Sequence, residues 1–177
     1  MPTRRPPRST AGTGRAVRLT DKPAPDDVDA MTDAVLTASR LLVAVSARSI
    51  GEVDESITIP QFRLLVVLDG RGPLKLTTLA EHLGVNPSTV TRMVDRLVTA
   101  GLVSREANPA SRRELVVSLT GAGTDVVREV MRRRRAEVTR IVSRMAPTAR
   151  RGLVRALNAF AEAGDEPVTR EGDLRWV

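Results

Sequence analysis

The sequence predicts a mainly α, α+β fold: a helix-turn-helix and a two-stranded ribbon set between longer flanking helices. Three observations predict it. Across most of residues 28–163 apolar side chains recur at three- and four-residue steps, the spacing of amphipathic helices. A short turn, Gly84-Val85-Asn86, separates two such stretches. One segment, Glu114 to Leu119, alternates with period two instead, as a half-buried strand does.

Residues 1–27 are rich in Pro, Arg, Thr and Gly and carry no periodicity. Such a segment cannot bury enough apolar surface to offset its ordering entropy, so it is expected to be a disordered basic arm. Val28, Met31, Val35, Ala38, Leu42 and Val45 then form a helical stripe of coiled-coil spacing. A second helix is expected over Ile57 to Leu68, with Thr58 and Gln61 as a capping box and Pro60 in the first turn, where its missing N–H is harmless. Asp69-Gly70-Arg71-Gly72-Pro73 ends it.

Thr78 and Glu81 read as a second capping box, opening a short helix that buries Leu79, Ala80 and Leu83. Gly84 suits a left-handed helix stop. Asn86 then supplies an N-cap, Pro87 the first helical residue, and Val85 with Val90 the spacing of a hydrophobic staple. At 100° per residue, Val90, Met93, Val94, Leu97 and Val98 share one face of this helix. Ser88, Thr91, Arg92, Asp95, Arg96 and Thr99 share the other, with Thr89 near its edge.

After Gly101 come strands over Leu102 to Ala107 and Glu114 to Leu119, the second turning Leu115, Val117 and Leu119 inward. Between them, residues 108–113 form a turn-rich tip holding Arg112 and Arg113. A long helix from Gly121 to Met145 carries Val127, Val130, Met131, Val138, Ile141 and Met145 on one stripe. Pro147 interrupts the chain, and Leu153, Val154, Leu157, Phe160 and Ala161 mark a last helix. Residues 165–177 are expected to be a flexible tail.

With 177 residues the chain is one domain plus tails. The absence of cysteine excludes disulfides and thiolate chemistry, and a single histidine, His82, leaves no basis for a Ser/His triad or a histidine metal site. No nucleophile–base pair, phosphate loop or metal cluster stands in the sequence, so neither an enzyme nor a cofactor is expected. The formal charge is +7, concentrated in two blocks. Six cations face Asp21 alone before residue 23, and fifteen arginines face six acids between Arg92 and Arg155. Such blocks suit a polyanion, nucleic acid before membrane. No continuous apolar run reaches the ~18–20 residues that span a bilayer, and Arg4-Arg5 runs into prolines rather than an apolar stretch. A cytoplasmic protein is expected.

A helix that offers short hydroxyls and an arginine near its N-terminus fits a major groove. Small side chains let the backbone approach, and Arg92 can offer two donors to guanine O6 and N7. Arg96, one turn further, is better placed for a phosphate. The ribbon's arginines suit the minor groove, where negative potential is strongest. The alternative is a protein-interaction module whose basic surface serves solubility. The run Arg132-Arg133-Arg134-Arg135 points around its helix and cannot form one contact face; Glu129 and Glu137 are expected to pair with Arg133.

At this level of detail the chain resembles the winged helix-turn-helix regulators of the MarR family, from about Val28 to Ala163. The resemblance rests on Pro87-Ser88-Thr89-Val90-Thr91-Arg92 leading to Leu97, on Gly101-Leu102-Val103, on Arg112-Arg113, on Leu119-Thr120-x-x-Gly123 and on Gln61-Phe62. It implies a homodimer on a pseudo-palindromic operator in double-stranded DNA, built by helices at about 28–52 and 121–163 around a DNA-binding lobe at about 58–120. It also implies a repressor released by a small aromatic or anionic ligand, seated between the dimer helices and that lobe. The family's major-groove role falls on Ser88, Thr89, Thr91 and Arg92, and its wing role on Arg112 and Arg113. Where the family usually has an aspartate before the paired arginines, this chain has Ser111. A looser wing is expected.

Overall fold

The computed structural model describes residues 27–108 and 111–164, without the side chains of residue 108 and residues 111–114. The basic arm, the acidic tail and the ribbon tip at residues 109–110 therefore lie outside the described residues. In order, the elements are α1 (Val28–Gly51), α2 (Ile59–Arg71), β1 (Leu74–Lys75), α3 (Leu76–Leu83), α4 (Pro87–Thr99), β2 (Val103–Asn108), β3 (Ser111–Leu119), α5 (Gly121–Arg144), α6 (Pro147–Arg150) and α7 (Leu153–Ala163). Two compact units meet within α1, at Ala38 and Ser39. The first contributes a solvent-exposed helical segment; the second carries every other element.

Local chemistry explains most boundaries. Thr58 caps α2 by the reciprocal box: its N–H donates to Gln61 Oε1 at 2.8 Å, and the Gln61 N–H returns to Thr58 Oγ1 at 3.4 Å. Gly84 ends α3 at φ 66°, ψ 34°. Its N–H and that of Val85 reach back to Glu81 O and Ala80 O at 3.2 and 3.1 Å, the paired bonds of a Schellman turn. At α5, Thr120 Oγ1 accepts from the Gly123 N–H at 3.0 Å and donates to Gly101 O at 2.7 Å. A Cβ on Gly123 would collide with the Leu102 carbonyl oxygen. That close approach explains why glycine stands at this position.

The core lies between α2, α3, α4, the sheet and the start of α5. Leu64, Leu65, Leu79, Val90, Val94, Leu97, Val117 and Val130 are its most enclosed members, and Phe62 is its only aromatic. Each such side chain contributes roughly 1.5–3 kcal/mol by leaving water. An aliphatic core of this kind holds α4 rigidly by one face.

Several expectations change. The sheet has three strands, in the order β1-β3-β2, rather than two. Leu74 and Lys75 pair with Val117 and Val116, and a two-residue strand is too short to show a period. Helix α3 starts at Leu76, two residues before the expected capping box, and no side chain caps it. Asn86 is the N-cap residue of α4 but makes no side-chain cap bond either. Val98 and Leu115 are exposed at 40% and 44%: the first sits in the last turn of α4, the second where the ribbon has left the core.

The arginines of the wing also move. β3 begins at Ser111, so Arg112 and Arg113 belong to the strand rather than to the tip. The register jumps from Ala107↔Leu115 to Asn108↔Ser111, which interposes residues 112–114 on β3 with no counterpart on β2. Bulged residues of this kind bend a strand and re-aim what it carries.

Finally, α1 is long and apolar enough to cross a membrane by length and composition, with a hydropathy of 1.3 over an 18-residue window. It holds no long continuous apolar run, because Thr37, Ser39, Arg40, Ser46 and Arg48 interrupt it, yet the apolar residues between them keep the mean high. The stripe expected to bury α7 is likewise exposed within one chain: Val154, Leu157 and Phe160 are 73%, 55% and 58% accessible.

Candidate nucleic-acid interface

Helix α4 is held through Val90, Val94 and Leu97, exposed to 0%, 0% and 1%, and this sets what its other face offers. Ser88, Arg92, Asp95, Arg96 and Thr99 are exposed, while Thr89 and Thr91 are half-buried at the margin. The structure thus brings five of the seven expected site residues, Ser88, Thr89, Thr91, Arg92 and Arg96, onto one helix. The Thr91 hydroxyl donates to Pro87 O at 3.0 Å. Its proton is therefore engaged within the helix, and its oxygen remains an acceptor. Neither Arg92 nor Arg96 makes an ion pair among the described residues, so both guanidinium groups are uncommitted. The side chains of Arg112 and Arg113 lie outside the described ones, as does the effect of Ser111.

One ion pair at this face was missed by sequence reasoning. Arg105 on β2 donates from Nη2 to Asp95 Oδ1 on α4 at 2.8 Å. The Arg105 side chain is 27% exposed, and its Nε is the one buried side-chain polar atom without a partner among the described residues. No local period could have found this pair, since it joins a helix to a strand. Alongside it, the Ser104 and Ser118 hydroxyls meet across β2 and β3 at 2.9 Å.

Two arginines of the run on α5, Arg132 and Arg133, are built into ion pairs. Glu129 receives both Arg132 and Arg133 at 2.7 Å, and Arg133 also reaches Glu52 at 2.8 Å. Hydrogen bonds from Arg132 first, then Arg133, lower the Glu129 carboxyl to about 2; the bond to Glu129 raises Arg132, and the bonds to Glu52 first and Glu129 second raise Arg133. Glu137 does not pair with Arg133 as expected; it meets Arg140 at 2.6 Å and Arg48 at 3.8 Å. Burial lowers Arg134.

Comparison with known proteins settles the kinship. A profile of the MarR family matches residues 57–115, from the cap of α2 into β3. The HTH-type transcriptional repressor MdtR of Bacillus subtilis is 32% identical over 114 residues, covering 64% of this chain and 74% of MdtR. The crystal structure of RV1404 from Mycobacterium tuberculosis is 62% identical with a TM-score of 0.74, covering 83% of this chain and all (100%) of RV1404.

The chain belongs to the MarR family.

YusO of Bacillus subtilis extends the fold relationship, at 28% identity and a TM-score of 0.61 over 78% of this chain and 97% of its own. This MarR-family chain is thereby placed among helix-turn-helix transcriptional regulators and not among enzymes. The matched span holds α2, α3, α4 and β2, so the exposed face of α4 lies inside the region that defines the family.

Proposed function

We propose that this regulator is a homodimer that binds a pseudo-palindromic DNA site and represses transcription, and that a small aromatic or anionic ligand releases it. The observation that carries the reading is the exposed face of α4, where Ser88, Arg92 and Arg96 stand free on a helix fixed by its buried face. Arg92 reads a base edge, Arg96 and the wing arginines Arg112 and Arg113 meet phosphates and the minor groove, and Ser88, Thr89 and Thr91 allow close approach. The repressor role follows the name of MdtR.

Dimerisation accounts for two sets of exposed apolar residues. Val28, Met31 and Leu36 on α1, and Val154, Leu157 and Phe160 on α7, are each between 49% and 73% accessible in one chain. Large apolar side chains left exposed along a helix suit an interface, and a twofold axis would place two copies of α4 about 34 Å apart, one turn of B-DNA. In this reading, the membrane-like composition of α1 is that of a helix covered by protein. Residues 1–27 add phosphate contacts without sequence preference.

Binding-site selection with purified protein, followed by sedimentation of the complex, tests the proposal. A palindromic site bound by two chains is expected. Recovery of no preferred sequence would overturn it in favour of a protein-interaction module.

A further inference from the structure

The carboxylates of α5 lie early along the helix. Arg128 pairs with Asp125, Arg132 and Arg133 with Glu129, and Arg140 with Glu137. From Val138 to Ala161 the sequence then holds five arginines and no acid. Of these, Arg144, Arg150, Arg151 and Arg155 are exposed and make no ion pair among the described residues. They stand in the last turn of α5, at the end of α6 and its cap, and in the first turn of α7. Like charges this close in the chain repel one another. Glu162, the next acid, pairs with none of them among the described residues.

The cluster begins far from α4. Thr120 and Gly123 fix the first turn of α5 to the Gly101–Leu102 corner that follows α4. Arg144 lies at the other end of that helix, roughly 30 Å away at the helical rise per residue. It cannot meet the phosphate assigned to Arg96, which sits within two turns of the corner. Nor does the proposed dimer contact cover Arg155. At 100° per residue, Val154, Leu157 and Phe160 share one side of α7, whereas Arg155 falls on the other with Asn158 and Glu162. A twofold axis presents the cluster twice and doubles its charge.

We propose that Arg144, Arg150, Arg151 and Arg155 form a second phosphate-binding surface, on which the dimer holds another DNA duplex while its α4 helices hold the operator. The proposal rests on the operator binding proposed above and adds a bridging role to it. Arginine is the cation suited to this. Its planar guanidinium grips a phosphate through two parallel N–H donors, which an ammonium does not. Phosphate contacts carry no sequence information, so the second duplex needs no particular sequence. Duplex DNA is favoured over an acidic protein because its phosphates recur at regular spacing, as the cluster recurs across the twofold axis. DNA flanking the operator also supplies it at high local concentration.

The test uses the full-length protein and beads carrying the selected operator duplex. Protein retained on the beads reads the α4 face, and a labelled random-sequence duplex captured afterwards reads the cluster. Wild type is expected to capture that duplex. R144Q/R150Q/R151Q/R155Q is expected to keep its sedimentation and operator retention but to capture about tenfold less, since several phosphate contacts are lost. It retains residues 1–27, so capture by the basic arm would survive in it. R144K/R150K/R151K/R155K keeps the charge and is expected to recover part of the capture. No capture by wild type would overturn the proposal in favour of an acidic protein partner. Equal capture by wild type and the glutamine variant, or loss of operator retention in both variants, would also overturn it. Should wild type itself fail to hold the operator, the function proposed above falls alone. Binding of the random duplex in solution, expected to be weaker in the glutamine variant, then decides the cluster.

Discussion

Arg105 on β2 and Asp95 on α4 meet at 2.8 Å across the junction of ribbon and groove-facing helix. The bond links the two parts of the proposed DNA interface through a guanidinium that is nearly three-quarters buried. Asp95 is thus a positioning residue: it is exposed on the α4 face yet turned to the protein's own wing.

Removing Asp95 leaves that guanidinium without the one carboxylate that pairs with it among the described residues. Asp95→Ala is expected to destabilise the fold by about 1 kcal/mol, at the upper end for a partly exposed pair, and to weaken DNA binding by loosening the wing. Arg105→Met, which keeps the stem and removes the charge, should cost less stability. Thermal unfolding of both variants checks this, and an unchanged midpoint in Asp95→Ala would refute it.

Arg92 and Arg113 should fail differently. Arg92→Ala is expected to cost ~1–3 kcal/mol of binding and to relax preference at one base position, whereas Arg113→Ala should weaken all sequences alike and reduce the salt slope by about 1. Binding isotherms at several salt concentrations, on the selected site and on a scrambled one, separate the two. Should neither substitution change affinity, the DNA-binding reading falls.

Two glycines of α5 make a matched pair. Both precede or occupy its first turn, yet nothing lies within 4 Å of a Cβ at Gly121, while one at Gly123 meets the Leu102 backbone. Gly121→Ala should be neutral or stabilise by up to ~1 kcal/mol through helix propensity. Gly123→Ala should destabilise by ~1–3 kcal/mol, the usual cost of overpacking. Denaturant melts of the two proteins decide it.

Glu129 sets an acid limit. Its folded-state value of about 2 lies below the ordinary 4.5, so the folded state holds the charged form more firmly than the unfolded chain does. The stabilisation from its pairs with Arg132 and Arg133 is therefore complete above about pH 4.5 and is lost as pH falls towards 2. Glu129→Gln should lower the melting temperature at neutral pH and flatten its dependence between those two values. An identical pH profile in the variant would contradict the assignment.

The helix-turn-helix was legible because its signals are local. Thr58 with Gln61, Gly84 at positive φ and Pro87 after Asn86 act through neighbours within a few residues. Each can be read from spacing alone, and the spacing of Val90, Val94 and Leu97 gives the outward face by subtraction. Where local signals competed, reading failed: Thr78 and Glu81 carry capping-box residue types, but Leu74 and Lys75 pair with β3 and start the helix earlier.

By itself, then, the sequence determined the order of the longer helices, the turn at Gly84, the buried stripe of α4 and the exposure of Ser88, Arg92 and Arg96, but not the short α6 at Pro147–Arg150. These follow from backbone preference and hydrophobic period, which act over one or two turns. Tertiary structure alone decided that Asp95 meets Arg105, that Arg133 reaches Glu52 and that Gly123 lies against Leu102. Those are contacts between elements distant in the chain. Their partners are chosen by how aliphatic faces pack, and no period along the sequence records that choice.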